Sequence, residues 1–176
     1  MIIDILTGQV QAGKTTLLRK ITFELKKRNF SIGGFLSLSV HDDNEVTGYD
    51  LFDLKEETRY PFLRKQGDKD WEKIGPYFFI PEALEQAKRI IFAAEHMDIC
   101  FVDEVGPYEL EGKGLWPALL AALKYPFPRL FLTVRAKLCD AFLEKLGQNA
   151  DRIFDVADSD VQSAIMDHLE QKLINS

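Results

Sequence analysis

The stretch Gly8 to Thr16, GQVQAGKTT, limits what this chain can fold into more than any other. It fits G-x-x-x-x-G-K-[ST], a pattern that works only between an apolar strand and the start of a helix. The flanks supply both. MIIDILT is a β-branched run ending at Gly8, and between Lys14 and Arg28 the residues Leu17, Leu18, Ile21 and Leu25 share one helical face. A loop so placed can wrap a phosphate chain with backbone N–H groups while the helix N-terminus adds its positive end. Gly8, Gln9, Val10, Gln11, Ala12, Gly13, Lys14, Thr15 and Thr16 are therefore the candidate phosphate-binding residues. Lys14 meets the β and γ phosphates in this reading, Thr15 offers its hydroxyl to Mg²⁺, and Thr16 lies beside the α phosphate. Gln11 stands where many such loops carry glycine, and if the position needs φ > 0 its side chain costs on the order of 1 kcal/mol.

The rest of the chain alternates strand and helix patterns. SIGGFLSLSV reads as a strand, HDDNE as a turn, and TGYDLFDL and RYPFLRK as two short strands joined through KEET, in an antiparallel hairpin region. QGDKDWEKIG reads as a polar loop. A helix then starts near Pro81, with Glu82 and Glu85 at its N-terminal end and a stripe of Leu84, Ala87, Ile91 and Ala94. DICFVDE is a nearly continuous apolar run, as expected of a parallel strand buried on both faces. Helix over 114–124, strand RLFLTV, helix over 136–146, strand RIFDVA and a closing helix over 159–174 follow. The closing helix repeats Val161, Ile165, Leu169 and Leu173, with Asp158 or Ser159 as its cap. This order predicts an α/β fold of three layers around a mainly parallel central sheet, with an antiparallel hairpin insertion. Without repeats or a linker, residues 1–176 read as one domain.

Composition narrows the function classes. With 46% hydrophobic residues in 176 the chain can bury a sizeable core. The net charge of −6, with both signs interspersed, gives no broad positive field for nucleic acid. Apolar runs such as RIIFAA are far too short for a membrane span, and the N-terminus lacks a signal-peptide layout, so a cytoplasmic location is expected. Cys100 and Cys139 form no CxxC pair, and Cys100 inside ICFV reads as a small buried hydrophobe. His41, His96 and His168 lack zinc-ligand spacing, which leaves a metal to arrive with a phosphate ligand.

A nucleotide loop needs a carboxylate to hold Mg²⁺, usually at the tip of a neighbouring apolar strand. ICFVDE provides two. Asp103 is suited to the metal, and Glu104 to orienting or activating an attacking water. Glu109 and Glu111 read as either a second acidic pair or a solvated loop face. The aromatic residues of the hairpin region, Tyr49 among them, read mostly as sheet packing, with one ring free to stack on a base.

VDEVGPYELEGKG after a TGxxxxGKTT start resembles the small P-loop nucleoside triphosphatases of thermophiles and their cancer-related human member, whose close variant of D-E-[IV]-G-P-x-E-L is matched at Asp103, Glu104, Gly106, Pro107, Glu109 and Leu110. The resemblance implies a RecA-like P-loop fold and slow, nucleotide-tolerant hydrolysis. It implies that Lys14 and Thr15 bind phosphate and metal, with Lys14 also taking part in catalysis, that Asp103 is the metal-side carboxylate, and that Glu104 is the catalytic base. In such a fold RLFLTV lies between the acidic strand and the phosphate-loop strand, which directs Thr133 and Arg135 at the γ phosphate. Arg135, where part of the family has histidine, reads either as a phosphate-binding residue or as a sheet-edge cap.

The function that follows is Mg²⁺-dependent hydrolysis of a nucleoside triphosphate, ATP or GTP. Two other readings stay open on the sequence: a small-molecule kinase holding its acceptor on the hairpins, and a nucleotide-binding adaptor like the accessory proteins of molybdenum-cofactor assembly, which share the GKTTLL helix and an early GG strand. The adaptor reading requires a protein partner that the sequence does not identify.

Overall fold

The computed structural model describes residues 1–124 and 129–174, with side chains through residue 171. The first strand, β1 (Ile2–Gly8), leads into α1 (Lys14–Lys27). Then come β2 (Ile32–Asp42), β3 (Glu45–Asp53) and β4 (Arg59–Arg64), with β5 (Lys73–Ile74) and β6 (Tyr77–Phe79) as a small hairpin. The second half consists of α2 (Ala83–Phe92), β7 (Ile99–Val105), α3 (Pro107–Leu110), α4 (Trp116–Ala122), β8 (Arg129–Arg135), α5 (Cys139–Leu146), β9 (Arg152–Asp155) and α6 (Val161–Ile174). A 3-10 turn over Ala136–Leu138 precedes α5, so the helix expected over 136–146 begins one tight turn later.

All nine strands described join one sheet in the order β5-β6-β4-β3-β2-β7-β8-β1-β9. Strands β2, β7, β8, β1 and β9 run parallel, and β3, β4, β6 and β5 continue the sheet antiparallel from β2. The predicted parallel core is there, and the hairpins extend its edge rather than forming a separate layer. The sheet is mixed because the hairpin-forming turns join neighbouring strands directly, whereas each parallel strand is reached through a helix. The loop expected at QGDKDWEKIG supplies β5, whose Lys73 and Ile74 pair with Phe78 and Tyr77.

Alternation along β7 shows why the sheet must be covered on both sides. Cys100 and Val102 face one core together with α2, α4 and α5, while Ile99 and Phe101 face another with α1 and α6. Burying such a strand removes both faces from water at roughly 25 cal/mol per Å² of apolar surface. The stripe on α6 is buried at Val161, Ile165 and Leu169; the side chain of Leu173 lies outside those described. On α2 the buried face is Ala83, Ala87, Ile90 and Ile91, with Leu84 only half-buried. Among the described residues no helix is long and apolar enough to cross a membrane.

Two features of this frame shape the site. β8 lies between β7 and β1, as the RecA-like expectation requires, so the C-terminal tips of these three strands are adjacent. Strand β2 pairs with β7 only from Ile32 to Phe35, then continues to Asp42 with β3 alone. The free stretch of that hairpin forms a wall beside the strand tips.

Candidate functional site

The loop between β1 and α1 is held open by its backbone. Gly13 has φ 90 immediately before the first helical residue, a conformation that a Cβ disfavours. No side chain caps α1, so its first N–H groups are left for a ligand. Gln11 has φ 60, as anticipated for the glycine-like position, and carries the corresponding strain of on the order of 1 kcal/mol. Gly8 lies beneath the loop, where a Cβ would come within 2.4 Å of Val156 Cγ1. The ammonium of Lys14 donates to the carbonyl oxygens of Gln9 at 2.7 Å and Gly8 at 3.2 Å. Burial lowers its pKa, and Asp103 and Glu104 oppose that shift through their charges.

Asp103 ends the apolar part of β7 and is 1% exposed. Its Oδ2 accepts from the Thr15 hydroxyl at 2.7 Å and from the Ser37 N–H at 3.1 Å, while Oδ1 accepts from the Thr133 hydroxyl at 2.6 Å. Among the described residues no cation lies within ion-pair distance of it. Burial raises its pKa, against the three hydrogen bonds and the field of Lys14. Thr15 and Asp103 thus present two hard oxygen donors side by side at the mouth of the loop, one of them a carboxylate without a counter-ion among the described residues. Mg²⁺ suits both the donor type and the charge.

Glu104 is set apart from Asp103 by a bulge. The β7–β8 register shifts between Val102 and Val105, and Glu104 has φ 72. Bulges of this kind re-aim side chains. Its N–H donates to Thr133 Oγ1 at 2.6 Å, and its Oε2 accepts a long bond from the Ser37 hydroxyl at 3.4 Å. Burial raises the Glu104 pKa, Asp103 raises it further, and Arg135 and Lys14 oppose both. A carboxyl whose surroundings favour its protonated form is suited to taking up a proton.

These groups line a cavity of about 440 Å³. Val10 through Thr16 form one side, Asp103, Glu104 and Arg135 the floor, and Ser37, Ser39, His41, Tyr49 and Arg59 the hairpin wall. Gly8 and Gln9 lie outside the lining and contribute carbonyls to Lys14 instead. Arg135 makes no hydrogen bond or ion pair among the described residues, which favours the phosphate-facing reading over the sheet-edge one. Thr133 is different. It lines the cavity too, but it is fully buried and its hydroxyl is already committed to Asp103 and the Glu104 N–H.

Sequence reasoning missed Ser37, whose contacts to Asp103 and Glu104 cross 66 and 67 positions of chain. Nothing in LSLS sets that serine apart. Tyr49, read as packing, stacks edge-on against Tyr77 at 5.4 Å and faces the cavity; burial, Glu104 and Tyr77 push its hydroxyl up to about 12. Glu109 is neither a second acid at the site nor solvated. It is 5% exposed and accepts from the N–H groups of Gly106 at 2.8 Å and Leu115 at 3.1 Å, pinning the loop after β7. Glu111 is on the surface, paired with Lys113 at 3.0 Å.

Known proteins resemble this chain in sequence and in fold. Residues 4–169 match the family model described as NTPase. The chain is 30% identical to "Nucleoside-triphosphatase THEP1" of Methanopyrus kandleri over 73% of its own length and 71% of that protein's. It is 32% identical to the protein of the same name from Thermofilum pendens, over 72% of this chain and 70% of that one. The solution structure of a human cancer-related nucleoside triphosphatase shares the fold, with a TM-score of 0.75 at 23% identity over 97% of each chain. The family model spans nearly all of the sequence, including both the phosphate loop and the carboxylate strand, and the chain belongs to this family of small P-loop NTPases.

Proposed function

We propose that the protein hydrolyses nucleoside triphosphates, ATP or GTP, to the diphosphate and phosphate in the presence of Mg²⁺. The observation that carries this reading is the convergence of Lys14, Thr15, Asp103 and Glu104 on one cavity, with Thr15 and Asp103 joined at 2.7 Å. The loop N–H groups and Lys14 bind the phosphates, and Thr15 and Asp103 would hold the metal. Bound there, Mg²⁺ supplies charge neutralisation to the phosphates.

Glu104 orients a water and takes its proton. The water oxygen bonds to the γ phosphorus, the bond from that phosphorus to the bridging oxygen breaks, and its electron pair leaves with the diphosphate. Arg135, which lines the same cavity and makes no hydrogen bond or ion pair among the described residues, neutralises charge on the departing phosphoryl group. Low turnover fits a site where Lys14 must first release its own loop carbonyls. A cytoplasmic location, where nucleoside triphosphates are abundant, accords with this reading, as does a single domain over residues 1–176.

Phosphate release measured across a panel of nucleoside triphosphates with Mg²⁺ tests the assignment. Glu104→Gln should keep nucleotide binding and lower kcat by roughly 10²- to 10⁴-fold. Lys14→Ala should lose binding. Glu104→Gln turning over at the wild-type rate overturns the role of Glu104, and phosphate release only upon adding an acceptor points to a kinase instead.

A further inference from the structure

We infer that Thr133 is a positioning residue for this reaction, tying the metal-side carboxylate to the water-orienting one through a single hydroxyl. The inference rests on the roles given above to Asp103 and Glu104.

A threonine hydroxyl has one proton to donate and two lone pairs to accept with. At Thr133 the proton goes to Asp103 Oδ1 at 2.6 Å, and one lone pair takes the Glu104 N–H at 2.6 Å. That N–H lies where the β7–β8 register slips, between Val102 and Val105. Without the threonine oxygen it would be an orphaned donor next to a buried carboxylate. Glu104 also holds φ 72, which a residue bearing a Cβ keeps only where its surroundings fix it. The hydroxyl therefore secures both the rotamer of Asp103 and the bulge that turns Glu104 into the cavity.

The other contacts of Asp103 do not duplicate this role. Thr15 and the Ser37 N–H both bond Oδ2, and Thr15 is the hydroxyl the metal requires. During turnover Oδ1 would depend on Thr133. Thr133 lines the cavity but is 0% exposed, and its hydroxyl is taken by Asp103 and the Glu104 N–H, so its effect passes through these neighbours.

Thr133→Val keeps the shape and removes the hydroxyl. The expected result is a fall in kcat of about tenfold or more, since each lost bond involves a charged or otherwise orphaned group. Half-activation should need more Mg²⁺. Binding of a fluorescent ATP analogue in EDTA should change by less than about twofold, because the phosphate loop is untouched. Thr133→Ser should restore turnover. In a Glu104→Gln background, Thr133→Val should lower kcat by a much smaller factor than in the wild type. If Thr133→Val does not fold, Thr133→Cys carries the same comparison, its thiol being a weak donor of similar size.

A folded hydroxyl-free variant with wild-type kcat overturns the inference. So does a Thr133→Ser variant as impaired as Thr133→Val, or equal loss of metal-free binding. A wild-type protein without phosphate release overturns the hydrolase reading together with this inference, and a Glu104→Gln variant turning over at the wild-type rate overturns the role of Glu104 and this inference with it. An active Thr133→Val beside an inactive Glu104→Gln overturns the inference alone.

Discussion

Asp4 and Asp103 are both buried in the sheet, at 0% and 1% exposure, and they are treated in opposite ways. Asp4, in β1, bonds the guanidinium of Arg129, itself 1% exposed, and faces His168 Nε2 at 3.0 Å. Its charge is answered inside the protein. Asp103 meets two hydroxyls and one amide, and its nearest ammonium, on Lys14, is bonded to loop carbonyls. Among the described residues no ion pair answers its charge, and in the proposed function that part falls to Mg²⁺. The two clusters share only β8, which Arg129 begins beside Asp4 and where Thr133, near the other end, meets Asp103. The proposed function accounts for the difference: Asp4 is a structural carboxylate, and Asp103 is the one that would receive the metal.

The largest effect on stability should follow from breaking the satisfied cluster. Arg129→Met leaves Asp4 buried beside His168 alone, and removing one member of a buried pair costs about 3–5 kcal/mol. Denaturant unfolding should register that loss, while kcat of the folded protein at low temperature stays near wild type. Among the described residues the Nε and Nη2 of Arg129 have no hydrogen-bond partners, so the pair is itself expensive to bury. Replacing both partners, Asp4→Leu with Arg129→Met, should consequently recover much of the loss. A cost below about 1 kcal/mol for the single change would show that Arg129 does not answer Asp4.

The contrast also explains what could be read from the sequence. The phosphate loop and the acidic strand tip were legible because each is written in a short continuous stretch with its own pattern, whereas the placing of β8 followed from the resemblance to RecA-like folds. The interactions that finish both clusters are not local. Asp4 meets Arg129 across 125 positions and His168 across 164, and Asp103 meets Ser37 across 66. A serine, a threonine or a histidine in an apolar segment gives no sign of which distant carboxylate it will find. Glu104 shows a second limit: DE at a strand end suggested two roles, but the left-handed conformation that separates them depends on Thr133 from another strand. Glu109 shows a third, because a charged residue in a loop motif resembles surface until its two amide partners are known.

A smaller effect is expected at the unanswered cluster. Asp103→Asn keeps the shape and removes a buried charge with no ion partner, so stability should change by less than about 1 kcal/mol, in contrast to the Arg129 cluster. Turnover should fall by about 100-fold, because the metal loses its only charged protein ligand in the proposed site. A large loss of stability with turnover retained would reverse the comparison and make Asp103 the structural carboxylate.

The smallest effect concerns strain rather than charge, and it sets Gln11 against Glu104. Both hold φ in the left-handed region, at 60 and 72, but only Glu104 is tied down there by a bond from its own N–H to a side chain. Gln11 is exposed, and its side chain makes no hydrogen bond among the described residues. Gln11→Gly should relieve about 1–2 kcal/mol of backbone strain and give back roughly 0.4–1 kcal/mol through the greater freedom of the unfolded chain. The net expectation is stabilisation of under about 1 kcal/mol, read by urea denaturation. Relief of strain present in both free and bound protein leaves affinity unchanged, so any gain in nucleotide binding beyond about threefold would mean that the Gln11 side chain obstructs the phosphates. Destabilisation would instead show that the loop depends on Gln11 for its shape, and that the glycine usual at this position was replaced by a residue with a contact of its own.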